Sequence, residues 1–553
     1  MALLGVATGL ITALVIICFR SLIAVVASQT FGSEENFEAI PPFARAGLVL
    51  GGALVLGLLL NRYRPSARRV GVVHVMERLS LHQGYLPLKN AVIQFFGGAL
   101  ALLTGQSGGR EGPAIHLGAT AASLLGRAAK LPNNSLRTMV ACGTAAAIAS
   151  CFNTPIAGVI FAMEVVMMEY TIASFIPVIV AAVSATLITL GMFGAAPAFD
   201  VAPQHAYSLF EIIYLVLGGL VIGIIAAGYI QLTQAFARLS LQPVWRRLTL
   251  AGALTAGVGF FLPQVMGLGY DTVNEIMNAE LSIVLLVLLL TGKALTSAAA
   301  VGLGMPVGLI GPTMFMGAAF GGVFGNLLIA WHGPDISIGF YVMLGMCAMM
   351  AAILQAPLAA LMAVVELTAN TGMVLPAMVI IVIATLTSSE IFKQRSVYIT
   401  TLNTLGLQYP PNPVTLHMQR VGVTAIMDRA YIRVAHAVTV NSAREILQKK
   451  PNWIVVENED SILSAVLNPA DLEAFMTGRD FADEELIRLL SIPGRRMDVS
   501  TIGAEATVLQ VQEMLEKTGT EACCVTRTTA PLINPMIGLV TQREIENYRN
   551  TSQ

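Results

Sequence analysis

The hydrophobic pattern divides the chain before any motif is read. Apolar stretches recur at about 1–28, 44–60, 91–104, 138–168, 172–194, 208–237, 248–262, 281–300, 306–330, 338–365 and 373–392. They predict helices of irregular length. Several fall short of the ~20 residues that span a bilayer, and glycine or proline interrupts many. Broken helices at membrane depth are tolerated where irregular backbone lines a site, as in transporters and channels. After Tyr398 this pattern ends. Tyr409-Pro-Pro-Asn-Pro413 reads as a stiff linker. Beyond it, short strands alternate with amphipathic helices in two similar units. The first has helix Ser442–Lys449, strands Trp453–Glu457 and Ile462–Leu467, and helix Pro469–Met476. The second has helix Val508–Lys517, strands Glu521–Val525 and Met536–Val540, and helix Gln542–Tyr548.

Composition supports the division. The 553 residues are 55% hydrophobic and 12% charged, a membrane-protein balance. Residues 401–553 hold 32 of the 65 Asp, Glu, Lys and Arg, so a membrane domain precedes a soluble one. A net charge of −1 gives no sign of a nucleic-acid partner. Residues 1–28 lack a basic leader and read as a first membrane helix. The next loop is acidic (Glu34, Glu35, Glu38) and the one after it basic (Arg62, Arg64, Arg68, Arg69, Arg78). The positive-inside rule then puts the N-terminus and the basic loop in the cytoplasm. Six scattered cysteines show no metal spacing, and Cys523 and Cys524 read as buried thiols.

Two motifs recur in order. Asn153-Thr-Pro-Ile-Ala-Gly-Val-Ile-Phe-Ala-Met-Glu164 resembles Gln355-Ala-Pro-Leu-Ala-Ala-Leu-Met-Ala-Val-Val-Glu366, with proline nine positions before glutamate in each. Upstream, Gly112-Pro113-Ala-Ile-His-Leu-Gly-Ala119 matches Gly311-Pro312-Thr-Met-Phe-Met-Gly-Ala318. The motif prolines are 42 and 45 residues apart. This predicts two halves of one fold with a site between them. The run Gly105-Gln-Ser-Gly-Gly-Arg-Glu-Gly-Pro113 supplies the chemistry. Its glycines let backbone N–H groups converge on an anion, Pro113 suits a first helical turn, and Glu111 is an ionisable group at membrane depth.

Gly109-Arg-Glu-Gly-Pro113, Gly308-Leu-Ile-Gly-Pro312 and Phe152-Asn-Thr-Pro-Ile-Ala-Gly158 resemble, in order, motifs of the CLC chloride channels and chloride/proton antiporters. The tail resembles a CBS-domain pair. The resemblance implies an all-α polytopic membrane domain, residues 1–402, with an inverted repeat and broken helices. It implies a linker at 403–415 and a cytoplasmic α/β pair split at 416–480 and 481–553. It also implies a homodimer in a prokaryotic inner membrane, carrying chloride or related anions, with no enzyme activity and no required cofactor. Glu111 takes the gating role. Gly109, Arg110, Gly112, Val70, Gly71, Leu309, Ile310 and Tyr398 take anion-binding positions. Asn468, Asp471, Thr541 and Glu544 sit where such a tail contacts the ribose of an adenine nucleotide.

The chain departs from the family pattern at three places. Arg69-Val70-Gly71-Val72-Val73 stands where the family has a serine that touches chloride, and Val70 donates no hydrogen bond. Ile310 replaces a phenylalanine. Val165, after Glu164, occupies the proton-relay position, which favours passive conduction over proton exchange; Glu169, one turn on, is the nearest substitute carboxylate. Among rivals, a CBS-bearing metalloprotease needs H-E-x-x-H, and the nearest string, His74-Val-Met-Glu77, lacks the second histidine. A magnesium transporter needs more membrane carboxylates than the chain offers. A non-conducting sensor is the remaining alternative.

Overall fold

The computed structural model describes residues 1–32, 36–194, 209–239, 243–332, 336–407, 418, 421–458, 463–477, 482–527 and 536–551. Glu34, Glu35, Ile462 and the linker run Tyr409–Pro413 lie outside the described residues. There are two compact units, Met1–Lys130 with Ser135–Pro410, and Pro411–Gln553 with Leu131–Asn134.

The first unit is helical, and eight of its described helices are long and apolar enough to cross a membrane. Helices α1 (Ala2–Phe31) and α2 (Pro42–Asn61) precede a run of six. These are α3 (Gly71–Leu81), α4 (Leu88–Leu103), α5 (Glu111–Ala128), α6 (Asn133–Phe152), α7 (Pro155–Phe161) and α8 (Ile172–Phe193). The order then repeats. Helices α9 (Leu209–Arg238) and α10 (Val244–Phe261) precede α11 (Tyr270–Met277), α12 (Ile283–Gly302), α13 (Ile310–His332), α14 (Ile338–Leu354), α15 (Pro357–Thr368) and α16 (Val374–Leu386). Helix α17 (Val397–Thr404) follows.

The stretches 138–168 and 338–365, continuous in hydropathy, each fold as two helices. The breaks fall at Asn153 and Gln355, both in the left-handed region with φ of +57° and +56°. Each lies two residues before a proline that begins the next helix, Pro155 or Pro357. Proline fits a first turn but cannot extend the preceding helix.

Reciprocal contacts tie the halves together. Glu164 accepts from the N–H groups of Leu358 (3.2 Å) and Ala359 (2.8 Å) at the start of α15. Glu366 accepts from Ile156 (2.9 Å) and Ala157 (2.8 Å) at the start of α7. Each half thus supplies the carboxylate that caps the other's helix, and such self-complementary pairing is what a two-fold relation produces. Close helix crossings repeat as well. A Cβ on Gly118 or Gly143 would strike the facing carbonyl between α5 and α6, and the same holds for Gly317 and Gly345 between α13 and α14. Small residues there let backbones approach.

The second unit is α/β. Its six-stranded sheet runs β1-β3-β4-β6-β7-β8, with β1 (Tyr431–Ala435), β3 (Trp453–Glu457), β4 (Leu463–Leu467), β6 (Arg496–Gly503), β7 (Ala522–Thr526) and β8 (Met536–Thr541). Strands β2 (Ala437–Thr439) and β5 (Leu486–Arg488) form a separate antiparallel pair. The helices are α18 (Val440–Gln448), α19 (Pro469–Met476), α20 (Val508–Thr518) and α21 (Gln542–Thr551). Each half pairs its first strand in parallel and its last two antiparallel, β1-β3-β4 and β6-β7-β8. The internal boundary differs from the expected 480/481. Strand β5 pairs with β2, and Ile487, Leu489 and Ile492 bury in the first core. Met418 and Val423 instead bury in the second core. The two halves therefore exchange their N-terminal segments. Cys523 and Cys524 are buried, and burial pushes the Cys524 thiol up to about 12.

The reciprocal caps generate a prediction. Glu366→Ala and Glu164→Ala should each leave two first-turn N–H groups unpaired and cost about 1–3 kcal/mol. The readout is a lower apparent thermal midpoint of the full chain in detergent, similar for the two variants. An unchanged midpoint in either would contradict the mutual capping.

Candidate functional site

The site forms where α5 and α13 begin. Gly109 and Gly308, on the loops leading into them, exchange two backbone hydrogen bonds of 2.7 Å as an isolated antiparallel bridge. The approach leaves no room for a side chain: a Cβ on Gly308 would lie 2.5 Å from the Gly112 nitrogen. Helix N-termini from both halves therefore meet, and their unsatisfied N–H groups and dipoles favour negative charge.

Glu111 fills this point. It is fully buried. One carboxylate oxygen accepts from the Tyr270 hydroxyl at 2.6 Å, the other from the Gly311 N–H at 3.3 Å. Tyr270 is the first residue of α11, so a third helix N-terminus joins. Gly112, Leu309 and Ile310 are buried around it. The Arg110 guanidinium lies over the Tyr270 ring, 5.7 Å from its centroid. It also lines a small cavity with Arg20, Phe37 and Gly267.

The other end of the candidate path is built differently. Val70 is extended and precedes α3. The Gly71 N–H, a backbone donor in the anion-binding stretch named from the sequence, donates to Gln94 Oε1 at 2.8 Å. Gln94 Nε2 in turn donates to the Pro306 carbonyl at 2.8 Å. Tyr398 is buried on α17, and its hydroxyl has no hydrogen-bond partner. Glu111 and Tyr229 are its electrostatic neighbours. A buried donor of this kind is costly unless something accepts from it.

The positions bearing on proton transfer are also placed. Val165 is buried in a π-helical turn, Ala162–Met167. Glu164 is committed to capping α15. Glu169 forms an ion pair with Arg137 at 3.5 Å. His74 and Glu77 do not form a metal site: His74 bonds His116, and Glu77 pairs with Arg69. No cluster of metal-ligating side chains occurs among the described residues.

In the tail, the Thr541 N–H donates to Glu544 at 2.7 Å, and the Thr541 hydroxyl donates to the same oxygen. Asn468 caps α19 through the Ala470 N–H, and Asp471 accepts from the Arg495 N–H at 3.2 Å. These polar groups are engaged with one another or with nearby backbone.

Motif reading missed Tyr270, Gln94 and Lys293. Lys293 is fully buried on α12 and donates to the carbonyls of Val265 (3.1 Å), Gly267 (2.9 Å) and Leu268 (3.4 Å). The Gly267 carbonyl also accepts from Gly108, so the lysine braces the loop before Glu111. A lone lysine in an apolar helix was the available signal. Gln94 and Lys293 are repeat equivalents, each seventeen residues before Glu111 or Ile310.

Comparisons with known proteins show the family and the fold. The profile described as "Voltage gated chloride channel" matches residues 51–389. A Ralstonia nicotianae protein named as ClcB-like is 32% identical over 68% of this chain and 90% of its own length. An H(+)/Cl(−) exchange transporter ClcA of Vibrio campbellii is 27% identical over 63% of this chain and 77% of its own. The crystal structure of a eukaryotic CLC transporter, 18% identical, superposes with a TM-score of 0.58 over 98% of this chain and 96% of that one. With the profile matching more than half of the chain and the repeat, the broken helices and the two meeting loops in place, the chain belongs to the CLC family of voltage gated chloride channels.

Proposed function

We propose that the chain moves chloride or a related monovalent anion across a membrane, along a path that Glu111 occupies when ionised and leaves when protonated. The carrying observation is the setting of the carboxylate. It is fully buried and held by a backbone N–H and a hydroxyl at converging helix N-termini. Such donors suit an anion that must bind and leave, without the hold of a full positive charge. The carboxylate thus stands in for the transported ion.

Coupling to protons is the finer point. We propose exchange, because a relative carries the name of an H(+)/Cl(−) exchange transporter and because α3, which packs against Val165's turn, carries one member of a buried imidazole pair. Passive conduction is the second reading, and Val165 favours it. The reading includes a homodimer with one path per subunit. It places the N-terminus and tail on the cytoplasmic side of a prokaryotic inner membrane, which the basic loop Arg62–Arg78 supports. An adenine nucleotide at the tail would need Thr541 and Glu544 to give up their mutual bonds.

Glu111→Ala should turn pH-dependent anion efflux from liposomes into pH-independent efflux. Wild-type flux should fall as pH rises, by up to about tenfold per unit, because only the protonated carboxylate leaves the path. Strong residual pH dependence in the variant would remove Glu111 from the gate.

A second measurement concerns the α3 end. Gln94→Ala frees the Gly71 N–H and should tighten chloride binding by roughly tenfold, the worth of one donor to an anion. Val70→Ser adds a hydroxyl and should act in the same direction. Calorimetry on the purified full chain reads both, and unchanged affinity in both would show that this end contributes no anion site.

A further inference from the structure

A buried carboxylate changes charge only when a proton reaches it. Glu111 is fully buried, and Val165 has no proton to give. Two imidazoles at membrane depth have no part in the anion path. His116 is fully buried on α5, five residues past Glu111, and His74 is buried on α3. His74 Nδ1 and His116 Nε2 lie 2.8 Å apart, with ring centroids separated by 5.1 Å. Val72, Val75, Met76 and Ile115 belong to the apolar cluster at this level. An imidazole kept for packing alone would satisfy both nitrogens, or give way to an apolar side chain at less cost. His116 does neither: its Nδ1 is buried with no hydrogen-bond partner.

Resting on Glu111 as a protonatable gate, we propose that the His74–His116 pair passes protons between Glu111 and the basic end of α3, in place of Val165. Helix α3 packs against the π-helical turn that holds Val165 and against α17, which holds Tyr398. The helix that carries His74 therefore flanks the segment that the family's relay position occupies. Glu111 and His116 are separated by a rise of about 7.5 Å and by about 140° around α5, so transfer between them requires water. Beyond His74 on the same helix stands Glu77, paired with Arg69 of the basic loop. Arg69, Arg78 and His82 act on His74 electrostatically, besides His116. Tyr398 and Glu164 are those on the adjacent α17 and π-helical turn.

The transfer balances. Both rings start neutral, each with its proton on Nε2. A proton released by the Glu111 carboxylic acid binds His116 Nδ1. The Nε2 proton of His116 then crosses the 2.8 Å bond to His74 Nδ1. His74 releases its own Nε2 proton toward Glu77 and the basic loop. One proton enters, one leaves, and both rings end neutral in the opposite tautomer. The same hydrogen bond fits both tautomeric states, and each ring returns to the first when it loses its Nδ1 proton to water and gains one on Nε2.

The test uses the purified full chain in liposomes under a chloride gradient, with proton and chloride movement recorded together. His74→Gln and His116→Gln keep hydrogen-bonding capacity but cannot titrate. Each should lower the ratio of protons to chloride at least about tenfold. His74→Glu, which restores a titratable group, should recover part of that ratio. An unchanged ratio in both glutamine variants would overturn the relay. So would a wild type that moves chloride but no protons, which leaves anion transport standing. A wild type that moves neither ion would instead refute the transport reading on which the relay rests.

Discussion

Two hydrogen bonds between Gly109 and Gly308 are the contact around which the membrane unit is arranged. They join the two halves at the point where α5 and α13 start. Glycines sit where a Cβ would collide, and Lys293 braces one flanking loop, while mutual caps from Glu164 and Glu366 join the halves elsewhere. The result is a place in an apolar interior where several N–H groups point inward. Such groups are costly to leave unpaired and are satisfied by negative charge.

The two-fold relation is broken at the helix starts around this contact. Glu111 and Ile310 are repeat equivalents, yet only one is a carboxylate. Lys293 and Gln94 are likewise equivalent, yet one brings a charge that binds three carbonyls and the other a neutral amide that bridges Gly71 and Pro306. One side is therefore braced by a cation and carries a buried carboxylate. The other has an amide oxygen on the start of α3.

Much of this was legible in the chain. The repeat spacing announced two halves, and the Gly-Arg-Glu-Gly-Pro run located the carboxylate. Other features were not legible. Hydropathy alone cannot separate α6 from α7, because Asn153 and Pro155 interrupt only the backbone and leave the apolar run intact. Tyr270 lies 159 residues from Glu111, in a stretch with no recognisable motif. In the tail, β3 and α19 were readable to the residue, while β1 and β6 were missed. Both carry charged or polar residues between their apolar ones, and β6 is only half-buried. The exchange of segments between the tail's halves also escaped, because strand pairing is a long-range choice.

The sequence by itself determined the membrane character, the twofold repeat, the family and the position of the buried carboxylate Glu111, because composition, spacing and local motifs are properties of neighbouring residues. Only the tertiary structure decided what Glu111 touches, that Gln94 takes the Gly71 donor, and that two histidines 42 residues apart meet at 2.8 Å. The physical reason is that hydrogen bonds between distant segments depend on how helices pack, and helix packing leaves no short-range mark on the chain.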